Sequence, residues 1–290
     1  MILRLLFLLF MASAHQAFAC ASCGSSGDDP LVLYPNDSFK MLLQESNGQG
    51  YSNIDSHGDY RSSGGTQCKW TTTASLGAAI SRRSFATITK SYIENRRGNL
   101  HKQGFGDTSF AGRYSLAMLS IENEWSPQIQ ALFGYKHSTS QSTKSSKDPY
   151  LLDVFGNGFS EIKTGIDVWW GQWTVKPGMA LSLVQPLARS INGLRYSPNL
   201  ILRTTASLSY LQPFFVKWVI GTTTENRGKV KVEDGTDQPN GLTSSFFLTV
   251  ESMVTEMDLA RLSYSEIGTI GRNYNTYSSR NLTLAYIHSF

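Results

Sequence analysis

The chain has 290 residues, 17% of them charged, 40% hydrophobic and 12% aromatic, with a formal net charge of +4. After the first few residues no run approaches the ~18 apolar residues of a membrane-spanning helix, which excludes a helical membrane protein, while the apolar content excludes a disordered chain. The positive charge is spread along the chain, which leaves nucleic-acid binding without a basic cluster, and 3 cysteines are too few for a disulfide scaffold.

Residues 1–19 read as a signal peptide. Arg4 supplies the positive start, residues 5–11 (LLFLLFM) the apolar stretch, and Ala17-Phe18-Ala19 the small-residue cleavage site. A buried N-terminal helix is the alternative. Residues 20–36 then form a flexible periplasmic segment that opens on Cys20-Ala21-Ser22-Cys23 and continues through the tether GSSGDD. Cys20 and Cys23 admit three readings: a disulfide, two thiols on a soft metal such as Cu(I), or a lipidated Cys20 beside a lone thiol. Phe18 stands where a lipidation signal expects a small residue.

From residue 37 the side-chain period is two, the strand period. Apolar and polar residues alternate over 39–43, 74–80, 110–118, 129–135, 162–170, 175–183, 202–210, 216–220, 246–250, 260–264 and 282–290. Over 85–92 the alternation assigns no inward face. About twelve strands of roughly nine to twelve residues suit a tilted bilayer crossing. A soluble sandwich alternates too, so the connections decide. Short ones fall near 81–84, 120–126, 171–172, 212–213 and 255–257, and long ones over 45–67, 93–106, 138–159, 186–200, 222–243 and 267–279. Short turns on one side and long loops on the other predict an all-β fold, a closed antiparallel transmembrane β-barrel over 37–290, with periplasmic turns and extracellular loops. Trp169, Trp170, Trp173, Tyr210, Phe214, Phe215, Tyr286 and Phe290 cluster at the short-turn end as an aromatic girdle. Pro177 predicts a bulge or a missing ladder bond.

The alternation points Lys40, Arg113, Lys136, Lys163, Lys176, Arg203, Lys217 and Arg261 into the lumen, with Glu161, Asp167 and Glu251. An excess of cations favours anions in a low-dielectric passage; a paired network would instead close it. Tyr286 and the terminal Phe290 resemble the C-terminal signature of bacterial outer-membrane barrels, which the barrel assembly machinery reads. Gly104-Phe105-Gly106-Asp107 before a strand, and Gly156-Asn157-Gly158-Phe159 later, resemble two short steps of the MetA-pathway phenol-degradation family, bacterial outer-membrane proteins often called transporters. The resemblance spans roughly residues 39–290. It implies a twelve-stranded barrel and gives no substrate. The glycines read as serving turns and strand starts rather than a ligand.

Catalytic chemistry has little to rest on. His137 with Ser138 and Ser140 invites comparison with outer-membrane phospholipases, but no orienting acid or amide accompanies it. Asp55, His57 and Asp59 make a weak loop cluster. The expected function is a porin-like outer-membrane channel or transporter for small solutes in a Gram-negative cell, favouring anions and not an enzyme. A closed-lumen structural or surface-interaction barrel and a lipid-acting enzyme are the alternatives. The implied partners are outer-membrane lipid, the assembly machinery and a small solute. No cofactor is implied beyond a soft metal at Cys20 and Cys23.

Overall fold

The computed structural model describes residues 31–33, 37–118, 126–170, 174–212, 216–233 and 235–290. In chain order the strands are β1 (Phe39–Ile54), β2 (Tyr60–Ser81), β3 (Ser84–Arg97), β4 (Leu100–Ala117), β5 (Pro127–His137), β6 (Glu161–Trp170), β7 (Val175–Pro186), β8 (Arg189–Ile191), β9 (Leu194–Pro198), β10 (Ile201–Leu211), β11 (Val216–Arg227), β12 (Val230–Val232), β13 (Gly241–Met253), β14 (Asp258–Ile267) and β15 (Thr276–Ser289). All but β8, β9 and β12 join one closed barrel, in which each strand pairs antiparallel with the barrel strands before and after it in sequence and β15 returns to β1. The three short strands form a separate sheet in the order β12-β9-β8.

The faces of the wall decide its solvent. Leu43, Leu76, Phe110, Phe133, Leu181, Ile220, Leu262 and Leu284 are exposed on the outside, whereas Ser75, Asp167, Thr205, Lys217, Thr249 and Glu251 are buried on the inside. In water this distribution would leave apolar surface wet and charge dry. In a bilayer it is the required arrangement. Inward hydroxyls pair across adjacent strands, as in Thr73–Ser91 (2.9 Å), Ser75–Thr89 (2.8 Å) and Thr205–Thr223 (2.9 Å). The 85–92 segment also acquires a phase: Phe85 and Thr87 are buried, and Ile88 and Tyr92 face out.

The wall rises further than the alternation predicts. Segments 45–67 and 93–106, expected as long loops, lie largely in strands of 16 (β1), 22 (β2), 14 (β3) and 18 (β4) residues. Residues 55–59 join the first pair and Gly98-Asn99 the second, with Gly98 at φ +58°. Apolar residues are sparse there, Ile54 and Ile93 buried and Tyr60, Leu100 and Phe105 exposed, so the alternating pattern fades while the backbone ladder continues. Trp169 also departs from the expected girdle. It is fully buried on the inner face, its indole lying where a Cβ on Gly178 would stand 2.6 Å away. Trp170, Tyr210 and Tyr286 face outward as expected; Trp173, Phe214 and Phe215 lie outside the described residues. Pro177 makes no bulge. The β6–β7 pairing ends at Trp169↔Gly178, one residue short of it.

The C-terminus completes the seam. Phe290 donates its backbone N–H to Phe39 O at 2.9 Å, and its ring lies 5.3 Å from Phe39 and 4.4 Å from His288. Asp258 accepts from the Tyr286 hydroxyl and lies 2.7 Å from His288 Nδ1. Deleting Phe290 removes the last bond of the β1–β15 closure and its ring contacts. The folded, heat-modifiable form on a gel should fall sharply; unchanged assembly of the truncated chain would contradict this account of the seam.

Candidate functional site

The barrel interior gathers the charged residues that the alternation assigned to it, and it gathers them in pairs. Arg113 meets Asp167 at 3.2 Å, with side chains only 3% and 0% exposed, and also reaches Gln130 Oε1 at 3.3 Å. Glu251 takes Lys217 at 3.1 Å and Arg261 at 2.7 Å. Lys136 pairs with Glu161 at 2.8 Å, Lys40 with Asp37 at 2.6 Å, and Arg203 with Glu225. Lys163 stands opposite Gly134 and Lys176 opposite the buried Ser209. The expected surplus of cations is thus smaller than the sequence suggested, because Asp37 and Glu225 supply carboxylates that were not assigned inward. Glu225 was hidden by Thr222-Thr223-Thr224, a run polar on both faces, which masks the continuation of β11.

One end of the lumen is apolar. Leu31, Val32 and Leu33 are 1%, 5% and 3% exposed and pack on Leu42, Phe85, Ala285, Ile287 and the half-buried Leu259. Gly77 makes room for them, since a Cβ there would lie 2.5 Å from Leu33 Cδ1. Lys40 reaches Val32 O at 3.5 Å. Leu42, Phe85, Ala285 and Ile287 are inward positions near the 81–84 turn and the C-terminus, so this stopper occupies the short-turn end. Of the segment 20–36, expected to be flexible and periplasmic, residues 31–33 are seated inside the barrel. The physical reason is that an apolar ring inside a polar lumen needs an apolar partner. Cys20 and Cys23 lie outside the described residues.

The other end is narrowed by residues 138–160, between β5 and β6. Asp107 Oδ1 accepts from Thr139 N (3.1 Å), Ser140 N (3.2 Å) and Ser140 Oγ (2.5 Å). A Cβ on Gly104 would meet the Phe155 ring at 2.5 Å, and one on Gly156 would meet the Asp107 carboxylate at 2.5 Å. The two glycine motifs, some fifty residues apart, therefore interlock. This corrects the reading of the first motif as a turn or strand start, since Gly104 and Gly106 sit within β4 and their missing side chains admit Phe155 and the loop behind it; Gly158, at φ +83° in the bend before β6, serves a turn as expected. Asn95 Nδ2 holds Leu152 O (2.9 Å) and Val154 O (2.8 Å), and Lys102 holds Asp148 at 2.6 Å. The Lys102 ammonium and the Tyr150 N–H keep the Asp148 carboxyl below its ordinary range. The small β8-β9-β12 sheet braces the same loop, with the Lys144 ammonium 4.1 Å from the Tyr196 ring and 5.4 Å from Phe159.

These contacts also account for the residues considered for catalysis. Ser140 donates to Asp107, Ser138 Oγ accepts from Arg189 Nη1 at 3.0 Å, and His137 stacks beside Tyr135. Asp55 Oδ1 accepts from the backbone of His57 (2.9 Å) and Asp59 (3.1 Å), and its carboxyl is held low by those bonds and by Arg61. Ser138, Ser140 and Asp55 are thus occupied in tying loops, while Ser56 Oγ lies 3.3 Å from His57 Nδ1 in the exposed 55–59 turn.

Between stopper and loop, a cavity of about 450 Å³ runs along the β10–β15 side, lined by hydroxyls together with Arg203, Glu225, Arg227, Arg261 and Phe247. Arg227 donates Nη2 to Thr243 (3.2 Å) and Thr276 (3.1 Å), and its Nε lies 3.4 Å from Glu225. Phe247 points inward over Gly221, where a Cβ would lie 2.5 Å from its ring. Glu225, Arg227, Phe247 and the stopper were all missed from the sequence. Counting every second residue onward from Val219 would have found Glu225 and Arg227.

No family model matches the chain, and no curated relative matches it significantly. Among solved structures, an outer-membrane channel from Pseudomonas putida F1 superposes with a TM-score of 0.73 at 13% identity, covering 91% of this chain and 99% of that one. The transport unit of the Escherichia coli autotransporter AIDA-I gives 0.48 at 11% identity over 92% and 95% of the two chains. The CymD monoaromatic hydrocarbon channel gives 0.44 at 7% over 88% and 89%. The protein is an outer-membrane β-barrel by fold. That is the twelve-stranded architecture that the resemblance at Gly104–Asp107 implied.

Asp167→Asn would leave Arg113 buried without its carboxylate. Breaking a buried pair from one side costs about 3–5 kcal/mol, so the heat-modifiability midpoint should drop well below that of the unmodified protein. An unchanged midpoint would show that the pair is dispensable.

Proposed function

We propose that the protein is a passive outer-membrane channel for small solutes, with an anion-favouring lumen whose periplasmic end is stoppered by the chain's own residues 31–33. The observation that carries this reading is the polar, arginine-lined cavity inside a closed barrel. A purely structural barrel has no need of a chamber lined by Arg203, Arg227 and Arg261. The likeness in fold to a channel of Pseudomonas putida F1 agrees with it. Guanidinium groups around a water-filled space in a low-dielectric wall concentrate anions. Lipid on the outside, the assembly machinery during biogenesis and a small solute inside are the partners this reading requires. It gives the chain no catalytic role, and it makes no use of the Cys20–Cys23 pair, which stays a proposed periplasmic dithiol, disulfide or soft-metal site.

The buried stopper and braced loop favour the second reading, a barrel closed at rest whose role lies at its surface. Planar-bilayer recordings separate the two. The unmodified protein should show small, infrequent currents with a reversal potential of anion preference. That preference should fade as salt rises, because the screening length drops from ~10 Å at 0.1 M to ~3 Å at 1 M. Replacing Arg203 and Arg261 together by Gln should move the reversal potential toward cations. Leu31→Asn with Leu33→Asn should raise the conducting fraction several-fold. If neither the unmodified protein nor the stopper variant conducts, the lumen is closed and the channel reading fails.

A further inference from the structure

The cavity has a chemical gradient that a mere water-filled pore does not require. At its outer level Arg227 stands beside Thr243 and Thr276. Its Nη2 is spent on those two hydroxyls. Its Nε is buried without a hydrogen bond, 3.4 Å from a Glu225 that also serves Arg203. Its Nη1 has no partner among the described residues. A guanidinium prefers to present parallel N–H groups to one carboxylate, and Glu225 does not meet that preference for Arg227. Moving inward from this level, the lining turns apolar on one side. Ile267 stands opposite Ser245, and Phe247 follows two residues further along β13. Thr243 and Phe247 are therefore about 13 Å apart along the strand at ~3.3 Å per residue, with Ile267 between them. The rest of the lining is mainly hydroxyl and amide, from Thr223, Ser245, Thr249, Ser263 and Asn281 among others.

We infer that the cavity is a binding site for a small amphipathic carboxylate, its carboxylate on Arg227 and its short apolar body along Ile267, pointing toward Phe247. The cavity volume of about 450 Å³ lies within the range of small-ligand pockets, ~300–1,000 Å³. Three features select the class. Three lining arginines against the one carboxylate of Glu225 disfavour cations, the apolar strip disfavours inorganic anions, and the surrounding hydroxyls accommodate a hydrated head group. This inference rests on reading the lumen as a solute space, but binding is measured without requiring passage.

The test is isothermal titration of the refolded, detergent-solubilised full chain with sodium hexanoate, with titration into the same detergent without protein correcting for partition into micelles. Acetate keeps the charge without the body, and hexan-1-ol keeps the body without the charge. Saturable hexanoate binding is expected in the unmodified protein, at least tenfold weaker in R227Q, weakened in I267A, and intermediate in R227K, which keeps the charge but loses the planar fork. Acetate should bind more weakly than hexanoate, and hexan-1-ol should show no saturable heat. Heat-modifiability confirms that each variant is folded; should R227Q misfold, R227K and I267A decide. Absence of saturable binding in the unmodified protein, equal affinity in the folded variants, or equal binding of hexan-1-ol would overturn the site. Hexanoate binding without conductance would keep the site and remove the channel, whereas conductance without hexanoate binding would do the reverse.

Discussion

Everything in this molecule depends on the β1–β15 ladder. In hydrocarbon each unpaired backbone N–H or C=O costs several kcal/mol, and only closure removes both edges of a sheet. The pairing from Lys40↔Ser289 to Ile54↔Thr276 does this, and it brings the two ends of the barrel chain together at the short-turn end. The Asp258, Tyr286, His288 and Phe290 contacts then fasten the last residues of the seam where lipid gives way to water.

Closure sets the next problem, which is the interior. Twelve strands enclose more space than short inward side chains fill. The chain fills it by three different means. The Lys217–Glu251–Arg261 pairs bridge neighbouring strands, and Arg113–Asp167 reaches across β5 from β4 to β6. The stopper supplies apolar contact at one end. The 138–160 loop supplies a folded insert at the other, seated on Gly104, Gly106 and Asp107. Each solution has its own signature in the wall: charges where pairs form, an apolar ring where the stopper sits, and glycines where the loop presses closest.

The legible part of this design was what lipid imposes. Where a strand has hydrocarbon on one side and water or charge on the other, as in 129–135 or 216–220, the period of two is unambiguous and the inward charges follow from it. The illegible part was where lipid stops. Above the bilayer apolar residues are sparse on β1 and β2, so strand was read as loop. The same loss of contrast hid Glu225 and Arg227 at the end of β11. Trp169 was misread for the opposite reason: an aromatic near a turn suits a girdle, but its phase follows Asp167 onto the inner face, where Gly178 leaves room for it. Nothing local in Leu31-Val32-Leu33 reveals its place. Its partners Leu42, Phe85, Ala285 and Ile287 come from three strands that only the closed barrel assembles.

The interior is also lopsided, and the lopsidedness has a consequence for any solute path. The loop is anchored through Asn95, Lys102 and Asp107 on β3 and β4, so it occupies that half of the outer lumen. The cavity lines β10 to β15, together with β1, on the opposite half. The stopper packs on β1, β2, β3, β14 and β15, across the foot of the lumen beneath both halves. A solute descending the free wall therefore passes Arg227, Ile267 and Phe247 in turn, meets the Glu251-centred charges, and then faces Leu31–Leu33. An apolar barrier immediately beneath a charged layer is a steep one for an ion, which must shed its hydration there. In a channel built this way, selection resides in the wall and permission to cross in the N-terminal segment, two functions carried by different parts of the chain and open to change independently.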